Sequence, residues 1–120
     1  MAHVLTVDDS VSLRKLVANT LAAAGHDIVE ASHGAEALEQ LKKRTFNLII
    51  SDINMPVMDG LTFIKNVRQI AAYKFIPILV LTTEMDPAKK KQAKESGATG
   101  WLVKPFDPEQ LLNTIRKVLG

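Results

Sequence analysis

The sequence of 120 residues predicts an α/β domain: an open parallel sheet with helices on both faces. Three observations point there. Short apolar runs alternate strictly with longer segments of helical periodicity. Several of those runs are nearly continuous in Val, Ile and Leu, as strands covered on both faces are. Gly25 and Gly97, and the pairs Asp86-Pro87 and Asp107-Pro108, fall where helices would stop and start.

Taken in order, the first strand is Val4–Val7. The helix after it carries Leu13, Leu16, Val17, Leu21 and Ala24 as an i, i+3, i+4 stripe, and Gly25 stops it. Ile28–Ala31 is the second strand, and a helix over 35–43 turns Ala37, Leu38 and Leu41 inward. Phe46–Ile50 is the third strand, and the helix over 61–71 uses Leu61, Ile64, Val67 and Ile70. The fourth strand is Ile78–Leu81. Its helix opens with Asp86 as N-cap and Pro87 at the first helical position, and closes at Gly97. Gly100–Val103 is the fifth strand. The last helix opens at Asp107-Pro108, with Gln110 where a capping box places its partner, and its apolar face is Leu111, Leu112, Ile115, Val118 and Leu119. No repeat, linker or low-complexity segment interrupts the pattern. The expectation is one domain over 1–120, with no output domain.

Composition excludes several classes of function. With 47% hydrophobic and 23% charged residues the chain is expected to be globular, not disordered. The absence of cysteine removes disulfide scaffolds, thiolate zinc sites and thiol nucleophiles. A net charge of +2 is too weak an electrostatic footprint to suggest nucleic-acid binding. No apolar stretch approaches the roughly 18 residues a membrane span needs, and Met1–Val7 has no basic leader, so no membrane insertion is expected and the default compartment is the cytoplasm.

The chemistry lies at strand ends. Asp8 and Asp9 follow the first strand and Asp52 follows the third. Ligand sites in open α/β sheets lie beyond the carboxyl ends of the strands, where the winding reverses. If those two strands are neighbours, the acids converge, and their mutual repulsion is relieved by a hard divalent cation such as Mg²⁺. The plainer alternative is that they cap the helices that follow, which for Asp9 alone is reasonable. Thr82 and Lys104 end the fourth and fifth strands. A hydroxyl and an ammonium beside an acidic metal site suit phosphoryl transfer, which needs positioning and charge neutralisation.

Val7-Asp8-Asp9, Ser51-Asp52-Ile53-Asn54-Met55-Pro56, Asp59-Gly60, Leu81-Thr82-Thr83-Glu84, Ser96-Gly97-Ala98 and Lys104-Pro105-Phe106 together carry a resemblance over essentially the whole chain. The sequence resembles the receiver domains of two-component response regulators, most closely the single-domain chemotaxis regulators of the CheY type. That resemblance implies a flavodoxin-like (βα)5 three-layer sandwich whose five parallel strands lie in the order 2-1-3-4-5. It implies Asp52 as phosphoacceptor, and Mg²⁺ bound by the carboxylates of Asp9 and Asp52, the backbone carbonyl of Asn54, and Asp8 through water. Lys104 would pair with the acids at rest and with the phosphoryl group afterwards. Thr82 would turn toward a phosphoryl oxygen, Trp101 would be the aromatic switch in place of the usual Tyr or Phe, and the Lys104–Pro105 bond would be cis. Asn54 and Glu84 stand where the family tunes the lifetime of the acyl phosphate.

The implied donor is a phosphohistidine on a histidine kinase. The implied output is a downstream target, the flagellar motor switch among the family's targets, reached through the face of helix 4, strand 5 and helix 5 by a monomer that catalyses its own phosphorylation and dephosphorylation. The alternative within the family is a phosphorelay intermediate, phosphate sink or adaptor outside chemotaxis. Outside it, an aspartate-nucleophile phosphatase would want Asp-x-Asp after the first strand, and a nucleotide- or flavin-binding domain would want a phosphate-cradling glycine loop; the sequence has neither. Lys89-Lys90-Lys91 and Lys94 read equally as a solvated face or as a surface for an acidic partner. His3, His26 and His33 show no ligand spacing.

Overall fold

A computed structural model describes residues 2–120. The elements in chain order are β1 (His3–Val7), α1 (Val11–Ala23), β2 (Asp27–Ala31), α2 (Gly34–Lys43), β3 (Leu48–Ser51), α3 (Gly60–Gln69), a 3-10 turn (Ala71–Tyr73), β4 (Ile78–Thr82), α4 (Pro87–Ser96), β5 (Gly100–Val103) and α5 (Pro108–Leu119). All strand pairs are parallel and the order is β2-β1-β3-β4-β5. This is the flavodoxin-like arrangement, and its winding reverses between β1 and β3.

Alternate residues of each central strand face opposite layers, so the continuous apolar runs feed two cores. Leu5, Val7, Ile49, Ile78 and Val80 pack with Ala37, Leu41, Phe63, Ile64, Val67 and Ala93, under α2, α3 and α4. Val4, Leu48, Ile50, Leu79 and Leu81 pack with Val17, Leu21, Leu111 and Ile115, under α1 and α5.

The differences from expectation have local causes. α1 buries Val17, Ala18 and Leu21, which rotates Leu16 outward to 52% exposure and leaves Ala24 exposed as the C-cap. β3 starts at Leu48, because Asn47 serves β1 instead: its N–H donates to the His3 carbonyl (2.8 Å) and its side chain accepts from the His3 N–H (2.8 Å). α3 runs from Gly60 to Gln69. Its end is fixed by Arg68, whose guanidinium donates to the carbonyls of Tyr73, Ile76 and Gly97 at 3.1, 2.7 and 2.6 Å. Phe63, absent from the expected face, is fully buried. Asp107 caps α5 by accepting from the N–H of Glu109, one place earlier than a capping box requires.

Candidate functional site

The sheet register brings the strand ends together. Val7 lies beside both Ala31 and Ser51, and Thr82 beside Val103, so Asp8, Asp52 and Lys104 emerge at one edge. The backbone enforces this beyond the strands: the Asp52 N–H donates to the Val7 carbonyl at 3.0 Å and the Lys104 N–H to the Thr82 carbonyl at 2.8 Å. The Lys104–Pro105 bond is cis, as the resemblance implies.

Lys104 Nζ donates to Asp8 Oδ2 at 2.6 Å and to Asp52 Oδ2 at 2.9 Å. Its side chain is only 6% exposed. Burial alone would lower the lysine pKa, but the hydrogen bonds and charges of Asp8 and Asp52 outweigh burial and hold the ammonium above its ordinary value. Lys104 is therefore a cation at neutral pH.

None of the three aspartates caps a helix. Ser10 caps α1, accepting from the Leu13 N–H at 3.4 Å, and Asp59 caps α3, accepting from the Thr62 N–H at 2.9 Å. The acids are left for other work. Asp8 Oδ1 accepts from the Ser10 N–H at 2.9 Å. Asp52 Oδ1 accepts from the N–H groups of Ile53 (2.6 Å) and Asn54 (3.2 Å), so its carboxylate is aimed by its own loop while Oδ2 meets Lys104.

Asp8, Asp9 and Asp52 each offer a carboxylate oxygen, and these oxygens lie within 4.8 Å of one another. Asp8 and Asp52 are buried and Asp9 is exposed, so the cluster opens to solvent on one side. An all-oxygen set carrying more negative charge than one ammonium offsets fits a hard divalent cation.

The other expected residues lie around this pocket, not in it. Thr82 is fully buried at the end of β4, and its hydroxyl accepts from the Glu84 N–H at 3.1 Å. Asn54 is exposed and Glu84 half-buried. Trp101 pairs with Val80, packs half-buried against the core beneath α4, and lines a cavity of about 460 Å³ with Pro87, Lys90, Ala93 and Lys94. The three histidines serve local structure: His26 and His33 accept from the N–H groups of Ala2 and Glu36 at 3.2 Å each, and His3 pairs with Asp27 at 3.0 Å.

One residue of the site escapes sequence reasoning. Arg14 donates to the Asp8 carbonyl at 2.8 Å, and nothing in its local sequence marks that contact. Gly60, which the sequence marks only within the Asp59-Gly60 motif, opens α3 directly against the Asp52 loop, and a Cβ there would collide with the backbone of Asp52 and Ile53. The expected result for Gly60→Ala is a loss of about 1–3 kcal/mol in urea unfolding, the usual range for an overpacked site, with slower phosphorylation as the Asp52 loop shifts. Unchanged stability would mean that the loop yields freely.

Among the described residues no helix is long and apolar enough to cross a membrane. Comparison with known proteins agrees with the geometry. Residues 4–116 match the model of the response regulator receiver domain. The chain is 42% identical over 118 residues to chemotaxis protein CheY1 of Helicobacter pylori, covering 97% of this chain and 95% of that one. It is also 42% identical to a chemotaxis protein CheY homolog of Campylobacter jejuni, covering 97% and 91%. The crystal structure of Vibrio cholerae chemotaxis protein CheY4 superposes with a TM-score of 0.95 at 56% identity, covering 98% of each chain. With the acid pocket, the lysine bridge and the strand order already in place, the conclusion is that this chain belongs to the response regulator receiver domain family.

Proposed function

We propose that this chain is a phosphorylation-activated switch of a two-component system, that Asp52 is its phosphoacceptor, and that its pathway is chemotaxis. The observation that carries the reading is the Lys104 ammonium held between Asp8 and Asp52, with Asp9 beside them at the open edge of the sheet. The chemotaxis assignment is supported by the names of the relatives, which it matches over nearly their full length.

The reaction is in-line transfer. An Asp52 carboxylate oxygen forms a bond to phosphorus as the bond from phosphorus to the kinase histidine nitrogen breaks, and the freed imidazole keeps the electron pair. Acetyl phosphate or a similar small phosphodonor can replace the kinase. Asp9, Asp52 and the Asn54 carbonyl, with Asp8 through water, would hold Mg²⁺, which would supply positive charge against the phosphoryl oxygens. Lys104 turns from the carboxylates to the new phosphoryl group. Thr82 releases the Glu84 N–H and donates its hydroxyl to a phosphoryl oxygen, which loosens the loop before α4. Trp101 then moves into the space beneath α4, and the α4–β5–α5 face changes shape for a downstream target such as the flagellar motor switch. Water attacks the acyl phosphate to reset the protein, and Asn54 and Glu84 at the rim tune that step. The switch works as a cytoplasmic monomer.

Mg²⁺ is expected to be required for phosphorylation from acetyl phosphate, while EDTA stops the reaction without unfolding the protein, because the core does not depend on the acids. Full phosphorylation in metal-free buffer would contradict the proposal, and so would a large stability loss in EDTA. Trp101 supplies an optical check as the single tryptophan. Its emission is expected to change when beryllofluoride is added with Mg²⁺, and Thr82→Ala is expected to weaken that change while Mg²⁺ still binds. Constant emission with the mimic demonstrably bound would remove Trp101 from the switch.

A further inference from the structure

Asp8 is tied from four directions. Its N–H donates to the Ala31 carbonyl on β2 at 3.1 Å. Its carboxylate accepts from the Ser10 N–H at 2.9 Å and from Lys104 at 2.6 Å. Its carbonyl accepts from Arg14 Nη1 at 2.8 Å. Arg14 Nε in turn donates to Glu30 Oε1 at 3.0 Å, and the other oxygen of Glu30 accepts from Lys15 at 2.9 Å. The Arg14 side chain is 12% exposed, whereas that of Lys15 is 60% exposed.

Both backbone groups of Asp8 are thus referred to adjacent residues of β2. The N–H reaches Ala31 directly, and the carbonyl reaches Glu30 through Arg14. The peptide plane between Asp8 and Asp9 is set by that second tie, and the Asp9 side chain is carried by the same peptide. One planar guanidinium can hold a carboxylate and a carbonyl at once in a fixed fork; a lysine in its place is a single flexible point charge. Glu30 is itself a firm anchor. Burial would raise its pKa, but the hydrogen bonds and charges of Lys15 and Arg14 outweigh burial and keep it ionised below the ordinary range. The tie also survives activation. When Lys104 turns from Asp8 to a phosphoryl group, the carboxylate loses its 2.6 Å partner, but the carbonyl keeps Arg14.

We propose that Arg14, backed by Glu30, is a positioning residue that holds the Asp8–Asp9 turn in the conformation that binds the divalent cation. The inference rests on the reading of Asp8 and Asp9 as metal ligands. Groups that orient metal ligands from outside are worth about 10–100-fold in affinity, and a backbone tie belongs at the low end.

The test is a titration of the intact protein with MgCl2, followed by the amide NMR shifts of Asp9 and Ser10, together with hydrogen exchange of the same amides in EDTA. Arg14→Lys and Arg14→Gln are both expected to weaken Mg²⁺ binding about tenfold and to speed exchange at Ser10 without metal. Glu30→Gln should do so less. Lys15→Gln, which removes the exposed partner, should bind as the wild type does. If both Arg14 variants fold and bind Mg²⁺ with wild-type affinity, the inference is wrong. It is also wrong if Lys15→Gln weakens binding as much as Arg14→Gln does, because the loss would then come from unpairing Glu30 and not from the fork to the Asp8 carbonyl. Should the Arg14 variants fail to fold, Glu30→Gln decides: weakened binding with faster Ser10 exchange supports the tie, and wild-type behaviour in both overturns it. A wild-type protein that shows no response to Mg²⁺ overturns the proposed function itself, and the inference with it.

Discussion

Asp52→Asn is expected to abolish acid-labile incorporation of phosphate from acetyl phosphate, to the background of the assay, with the fold intact. An amide oxygen is a poor nucleophile and forms no acyl phosphate. The fold should survive because the contacts of Asp52 are local or shared. An asparagine carbonyl can still accept from the Ile53 and Asn54 N–H groups, and Lys104 keeps Asp8 at 2.6 Å. Circular dichroism and urea unfolding check the second half of the expectation. Phosphate uptake by Asp52→Asn at the wild-type rate would move the nucleophile elsewhere, and Asp8 or Asp9 would be the first to examine.

Lys104→Met is expected to produce the largest stability effect in the pocket. The side chains of Asp8 and Asp52 are 10% and 8% exposed and share this one ammonium. Methionine keeps the length and removes the charge, which leaves two carboxylates facing each other. Breaking a buried pair in this way costs about 3–5 kcal/mol, because the remaining charge is uncompensated. Mg²⁺ should restore part of the loss, since it neutralises the same oxygens. The variant is therefore expected to gain more thermal stability from Mg²⁺ than the wild type does, in line with tighter binding to the folded state. It should also fail to show the Trp101 response to beryllofluoride, because no ammonium is left to follow the phosphoryl oxygens. Wild-type stability of Lys104→Met in EDTA would mean that the lysine bridge contributes little.

Much of this pocket was legible in the sequence because strand ends are legible. The runs Val4–Val7 and Ile78–Leu81 mark their own carboxyl ends, so Asp8, Asp9 and Thr82 announce themselves as polar residues where apolar strands stop. Lys104 does the same after Leu102-Val103. Which strands are neighbours was not legible from periodicity: a buried parallel strand carries no record of its partner, and the order was available only through resemblance. Residues that act through distant partners were invisible for the same reason. The contacts of Arg14 lie on β2 and in the Asp8 loop, and those of Arg68 reach Gly97, 29 positions away. Both look like ordinary helix-surface cations in the sequence. The buried face of α1 differs from the expected stripe at Leu16 because apolar spacing defines a face only to within about one residue of rotation, and the buried face takes in Ala18 instead.

The most direct measurement traps the phosphoryl group where it forms. Protein incubated with Mg²⁺ and acetyl phosphate, reduced with borohydride and digested, can be read by mass spectrometry, since reduction of an aspartyl phosphate leaves homoserine at the modified position. The expected result is homoserine at Asp52 alone, appearing only when Mg²⁺ is present and absent from Asp52→Asn. Homoserine at Asp8 or Asp9, or at Asp52 to the same extent in EDTA, would contradict the assignment of Asp52 as the metal-assisted phosphoacceptor.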